Sequence, residues 1–578
     1  MTPLRKLIGS ISLAAIGLVA VGVSAASAQA GTPPDCDPAV PTVGIASGSV
    51  CGTTRTGTQG HRSAAYLGIP FAEPPLGALR WKPPVARASL GASPFRATQY
   101  GPPCVQPGPG STGVMGSEDC LSLNVYRPAG PQQSGLPVLV YIPGGGFLVS
   151  QANEELDGSA LASQGTVVVT LNYRLGVFGF LRYTDRRAGI AGNFAIQDQQ
   201  LGMKWVRDNI SAFGGDPSKV TLFGESAGAM SVGLHLFSAP SSTSLFRAAV
   251  MESNLMGLKY STASQAAGVG RSFVNLLCRS YVSGRCPATG AWLRSLSAAQ
   301  LAQAAGLTYP PGGMPGLMTL AIQNRGGVET AWSPTVGVAP LANRQPIEGY
   351  GPGSRPKPFI FGVNATEGAF FLPSAATLTV NQYNAIVRRA FGEAGAKRII
   401  NYSEGGRRIY DASAYRPRPQ GGLTRASRAL ARLQTDFIAA AANMKVASVV
   451  RRQAPGVKMF GYHFTFRSSF DFTGLQRCAY AALTTCHTDE IPFVWSQLVE
   501  KDQYGVTVPV TSPTPSELRL AAQMSSAWAG FAKDPSSGMG FAALRDPLKG
   551  GYVIWDDPVS VGRLMPASRY ALWEPFLP

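Results

Sequence analysis

Apolar positions fall into two recurring patterns along the chain. Short runs rich in β-branched and aromatic residues cover 62–71, 121–126, 136–142, 166–171, 220–223, 358–363 and 457–466, each bounded by glycine, proline or polar turn residues. Thr166-Val167-Val168-Val169-Thr170-Leu171 is almost continuously apolar, which is what a strand covered on both faces requires. Between such runs the spacing becomes helical: Ile196, Leu201, Met203, Trp205 and Val206 among polar neighbours predict a helix over 195–209. Strand, helix, strand, helix builds a mostly parallel sheet flanked by helices, so the fold class read from the pattern is α/β. Residues 257–355 are helical and loop-rich, with a Pro/Gly breaker at 309–316, and further helices are predicted within 382–452. Both stretches read as helical excursions from one domain over residues 31–578.

Composition narrows the class. Of 578 residues 45% are hydrophobic and 14% charged, enough to fill a large core and too apolar for disorder. Residues 1–30 read as an export signal: Arg5 and Lys6, an apolar stretch over 7–23, then Ala28-Gln29-Ala30 before a cut. No later apolar run is long enough to span a bilayer, so a secreted or periplasmic protein is expected. The eight cysteines agree with that compartment, because they fall as neighbours: Cys36 with Cys51, Cys104 with Cys120, Cys278 with Cys286, Cys478 with Cys486. Local disulfides are the simplest reading, with connectivity left open. Zinc would need tighter Cys or Cys/His clustering, so no metal is expected. The net charge is +18. Much of it lies between Arg388 and Arg452, where 14 Lys or Arg face four acids. That region reads first as a solvated, arginine-rich helical face and second as a weak polyanion contact. Nucleic acid is not expected, since no recognition motif accompanies it.

Candidate chemistry begins at Gly224-Glu225-Ser226-Ala227-Gly228, a G-x-S-x-G pentapeptide directly after the 220–223 strand and before a helix pattern. A sharp strand-to-helix turn lifts a serine hydroxyl above the sheet, and flanking glycines let neighbouring backbone pass. Gly144-Gly145-Gly146-Phe147 follows the 136–142 strand. A glycine turn can aim bare amides inward, so Gly145, Gly146 and the Ala227 amide are candidate donors to an oxyanion. No Lys-Ser/Thr follows, which argues against a phosphate loop. A nucleophilic serine needs a base, and there are four histidines. His235 stands nine residues beyond Ser226 on the same predicted helix, about 13 Å of rise away. His61 precedes the core strands and His463 lies mid-strand. His487, late in the chain beside Cys486, is the choice, matching the order Ser, acid, His. Glu367, in the loop after the 358–363 strand, is the candidate acid that would hold the imidazole tautomer. Its competing reading is a surface glutamate. No cofactor is implied. Asn209, Asn364 and Asn401 head N-x-Ser/Thr patterns, and glycans are not inferred from them.

These residues resemble the type-B carboxylesterases, the family of cholinesterases and para-nitrobenzyl esterases within the α/β-hydrolase superfamily. The likeness runs through Gly68-Ile69-Pro70-Phe71-Ala72-Glu73-Pro74-Pro75-Leu76-Gly77, the 118–126 segment, the glycine loop, Asn172-Tyr173-Arg174-Leu175-Gly176 and Asp198-Gln199. It continues in Phe213-Gly214-Gly215-Asp216-Pro217, the serine turn, the Glu367 segment and His487-Thr488-Asp489-Glu490. The resemblance implies an α/β-hydrolase fold, with helical insertions over the active site, and a serine hydrolase acting on carboxylic esters through an acyl-enzyme. It further implies that Ser253 hydrogen-bonds the acid and that Glu225 and Glu490 stand behind the reacting groups. Pairs Cys104/Cys120 and Cys278/Cys286 look like family disulfides. Cys36/Cys51 and Cys478/Cys486 come from spacing alone, the latter bracing the loop that bears His487. Three departures matter. Pro143 replaces the usual His or Tyr before the glycines, and Cys486 replaces the usual glycine before the histidine, which bears on local loop geometry. The 15 residues between Cys104 and Cys120 contain no aromatic. Cholinesterases carry there the tryptophan that stacks on choline, so choline esters are not expected as preferred substrates. A rival expectation is a silent, neuroligin-like adhesion module. That class typically lacks the nucleophile, which is present here. On the same machinery a depolymerase, lactonase or amidase stays open.

Overall fold

The computed structural model describes residues 35–577 apart from 109–112, 186–187, 307–330, 373–377, 416–422, 475–477, 479–484, 503–505 and 541. The expected export signal and the breaker at 309–316 lie outside the described residues.

Eleven strands form one sheet. In chain order they are β1 (Thr53–Thr56), β2 (Arg62–Pro70), β3 (Ser122–Pro128), β4 (Leu136–Ile142), β5 (Val167–Leu171), β6 (Gly215–Glu225), β7 (Ala248–Glu252), β8 (Phe359–Asn364), β9 (Met459–Phe464), β10 (Tyr552–Trp555) and β11 (Ser560–Gly562). Their order across the sheet is β11-β10-β9-β8-β7-β6-β4-β5-β3-β2-β1. From β5 to β10 every pairing is parallel, while β1, β2 and β3 on one margin and β11 on the other run antiparallel. This is the predicted mostly parallel α/β sheet. The pattern reading did not name β1, β7, β10 or β11, which are short.

Burial on both faces explains why the central strands read as unbroken apolar runs. In β4, Val138, Val140 and Ile142 enter one core while Leu139 and Tyr141 enter the other. The first core is closed by α1 (Phe194–Asn209) and α2 (Ala227–Phe237) through Phe194, Met203, Val232 and Leu236. The second is closed by the long C-terminal helix α3 (Pro515–Lys533) through Leu520, Met524, Trp528 and Phe531. Thr514 caps α3 with a reciprocal Glu517 capping box, satisfying two orphan amides. A buried bidentate pair, Arg174 with Asp198 at 2.7–2.8 Å, fastens the segment after β5 to α1. Among the described residues no helix is long and apolar enough to cross a membrane. All four cysteine pairs are joined as their spacing suggested.

Candidate active site

Strand β6 ends at Glu225, α2 begins at Ala227, and Ser226 sits between them with φ 55° and ψ −122°. A left-handed backbone is costly for a residue with a side chain and persists only where surroundings enforce it. They do so here through two hydrogen bonds: the Ser226 amide donates to the Glu252 carbonyl at 3.0 Å, and the Ser226 carbonyl accepts from Met230 at 2.8 Å. Glycine is compulsory at position 228, where a Cβ would lie 1.9 Å from the Ile142 carbonyl oxygen.

The three chosen side chains meet. His487 Nε2 lies 2.8 Å from Ser226 Oγ and His487 Nδ1 lies 2.6 Å from Glu367 Oε2. A carboxylate at Nδ1 fixes the tautomer, so Nδ1–H donates to Glu367 and Nε2 accepts from the Ser226 hydroxyl. The other Glu367 oxygen accepts from the Asn364 amide at 2.7 Å. All three side chains are buried, Glu367 and His487 at 1% exposure and Ser226 at 6%, so Glu367 is not a surface residue. Phe370 and Phe371 pack against the imidazole. The other histidines are elsewhere. His235 bonds Gln199 and Ser242, and burial pushes it down to about 3. Burial and the Arg432 charge push His463 down to about 4.

Behind this line stand further carboxyls. Glu225 Oε1 is 3.2 Å from His487 Nε2. Burial, with Glu490, Glu367 and Glu252 nearby, holds Glu225 well above the usual carboxylate range. Glu252, raised by burial and by Glu490, accepts from Trp528 Nε1 at 2.6 Å. Glu490 is pushed up to about 7 by burial and by the Glu367 charge. Ser253 does not reach the acid, contrary to expectation: its hydroxyl donates to Glu490 Oε1 at 2.6 Å. Both Glu367 oxygens are already taken, by His487 Nδ1 and by the backbone amide of Asn364. Asn364 Nδ2 donates to the other Glu490 oxygen and to the Cys486 carbonyl, the latter at 2.7 Å. Glu252 and Trp528 carry no local signal of this role, and Asn364 is marked in the sequence only by its N-x-Thr pattern. The N-x-Thr pattern at Asn364 belongs to this buried network.

The glycine loop abuts the serine: a Cβ at Gly144 would stand 3.2 Å from Ser226 Cβ. Gly145 and Gly146 have φ 95° and 64°. No described group accepts a hydrogen bond from the Gly145, Gly146 or Ala227 amides. Cys486 itself does not take a left-handed backbone, whereas Thr488 on the other side of His487 does, at φ 78°. An open groove of about 590 Å³ along α3, lined by Ala522, Ser526, Gly530, Trp555 and Val559, shares no residue with this constellation.

Comparisons with known proteins follow the same lines. The sequence pattern of the carboxylesterase family matches residues 39–557. Fumonisin B1 esterase of Sphingopyxis macrogoltabida is 31% identical over 486 residues, covering 81% of this chain and 78% of that protein. Para-nitrobenzyl esterase of Bacillus subtilis (strain 168) is 44% identical over 241 residues, 40% of this chain and 46% of its own length. Acetylcholinesterase of Electrophorus electricus is 44% identical over 230 residues, 38% of this chain and 36% of its own. These last two matches thus span less than half of each relative. A solved structure of PNB esterase superposes with a TM-score of 0.68 at 28% identity, covering 92% of this chain and 99% of that one.

Proposed function

We propose, for a chain that belongs to the carboxylesterase family, that Ser226, His487 and Glu367 hydrolyse carboxylic esters through an acyl-enzyme. The carrying observation is the unbroken hydrogen-bond line Oγ to Nε2 at 2.8 Å and Nδ1 to Oε2 at 2.6 Å. Ser226 Oγ attacks the ester carbonyl while Nε2 takes its proton, and the Glu367 carboxylate stabilises the imidazolium without itself becoming protonated. The amides of Gly145, Gly146 and Ala227, unengaged by other described groups, receive the oxyanion. Nε2–H then protonates the departing alcohol. Water, deprotonated by the same nitrogen, releases the acid and restores the serine. The whole of residues 31–578 acts as one hydrolase domain in this reading.

Export is part of the proposal, supported by four disulfides, since such bonds persist in oxidising compartments. So is poor turnover of choline esters, supported by the lack of any aromatic between Cys104 and Cys120. Weak polyanion contact through 388–452 has only the charge excess behind it. The decisive experiment is Ser226→Ala with short para-nitrophenyl esters and a fluorophosphonate probe. Both turnover and labelling disappear while circular dichroism is unchanged; a variant that still hydrolyses ester at the parental rate refutes the assignment.

A further inference from the structure

Cys486 immediately precedes His487 and is bonded to Cys478, eight positions upstream. The two ends differ in environment: Cys486 is wholly buried and Cys478 half-buried. The peptide carrying the imidazole is held on its amino-terminal side by several short contacts. Asn364 Nδ2 donates to the Cys486 carbonyl at 2.7 Å and the Cys486 amide donates to Asp489 Oδ2 at 2.6 Å. One residue earlier, the Thr485 carbonyl accepts from the Thr366 amide at 3.0 Å. On its carboxyl side Thr488 has φ 78°. A β-branched residue in the left-handed region is strained, and such strain persists only where surroundings over-determine the backbone. The loop bearing the base is therefore poised to relax, and a covalent tether one residue away opposes that. An imidazole must stay within about 0.5 Å of its working position, and a shift of about 1 Å costs roughly 10²-fold in rate.

We infer that the Cys478–Cys486 disulfide is a positioning element for His487, through which a thiol reductant turns the hydrolase down. The inference rests on the proposed role of His487. The step balances as ordinary thiol–disulfide exchange: a thiolate attacks the more accessible Cys478 Sγ, the S–S bond breaks, and Cys486 leaves as a thiolate and takes a proton. The second thiol of a dithiol then resolves the mixed disulfide, so both cysteines are reduced and the dithiol is oxidised. Cys486 thereby acts through His487 and does not touch substrate.

The test compares the full-length protein, Cys478→Ser/Cys486→Ser and, as control, Cys278→Ser/Cys286→Ser, a pair outside the reaction centre. Readouts are kcat and KM for a short para-nitrophenyl ester, the rate of fluorophosphonate labelling, and melting temperature. The expected result is a fall in kcat and labelling rate of about 10- to 100-fold with KM held within about twofold, and a control near parental values. A folded double variant with parental kcat overturns the inference. Should that variant not fold, the parental protein is titrated with dithiothreitol while mass spectrometry follows each pair. Activity that falls with reduction of Cys478–Cys486 and returns on reoxidation supports the inference, and activity that tracks another pair or ignores all four overturns it. A parental protein that neither turns over ester nor takes the label sinks the reading of Ser226 and His487 instead.

Discussion

Glu490→Gln isolates the electrostatics behind the reaction centre. Glu490 is wholly buried, accepts from Ser253 and Asn364, and has its affinity for a proton raised from 4.5 to about 7 by burial and by the Glu367 charge. A group raised in the folded state stabilises fully below its unfolded value and loses that contribution as pH climbs through the folded one. For Glu490 the window runs from about 4.5 to about 7, and the shift corresponds to about 3 kcal/mol at about 1.4 kcal/mol per unit. Glutamine cannot ionise. Its Oε1 still accepts from Asn364, and its Nε2 faces the Ser253 hydroxyl, which turns to accept. Urea-unfolding midpoints at pH 5, 6, 7 and 8 are the assay. Relative to the parent, the variant gains about 3 kcal/mol between pH 5 and 8, and loss of the Glu490 charge, which raises Glu225 and Glu252 in the parent, changes stability in the same direction. A stability difference that stays constant across that range refutes the reasoning, because it would mean that Glu490 titrates no differently folded than unfolded. Activity reports the same group from the other side. The Glu490 charge that appears above pH 7 favours the His487 imidazolium, so the variant loses kcat at pH 8 and matches the parent at pH 5.5.

Two further substitutions probe the loop and the frame. Gly145→Ala places a Cβ 1.7 Å from the Val149 carbonyl oxygen on a backbone with φ 95°, so the loop must shift. Steady-state kinetics should show kcat down by about 10²–10³ with the fold retained, and an unchanged kcat removes this loop from the oxyanion assignment. Arg174→Met strips the partner from buried Asp198, and leaving a buried charge unpaired costs about 3–5 kcal/mol in urea unfolding. A loss under about 1 kcal/mol would mean Asp198 finds compensation elsewhere.

The legible parts of the chain are those whose meaning is local. A serine between glycines at a strand end says by itself that the backbone turns sharply, because only glycine lets the Ile142 carbonyl approach position 228 so closely. The central strands are legible for a similar reason, since burial on both faces leaves an unbroken apolar run. Strand β7 went unnamed because Ala248-Ala249-Val250-Met251-Glu252 carries little intrinsic preference for extension. It is a strand because β6 and β8 pair with it on either side.

Ser253 marks where local reading stops. Which of two glutamates receives its hydroxyl depends on which carboxyl comes within reach and on which oxygens other donors have claimed, quantities that exist only once distant segments pack. The same holds for the charge states of Glu225, Glu252 and Glu490, since each is set by the water the fold removes and the carboxyls it brings near. By itself the sequence determined the strand and helix frame, the turn that exposes Ser226, the glycine loop, and the short list from which His487 and Glu367 were drawn. Only the tertiary structure decided that those groups meet at hydrogen-bond distance with a stack of carboxyls of raised proton affinity behind them, because Coulomb energy and desolvation depend on separation in space, which a linear order does not contain.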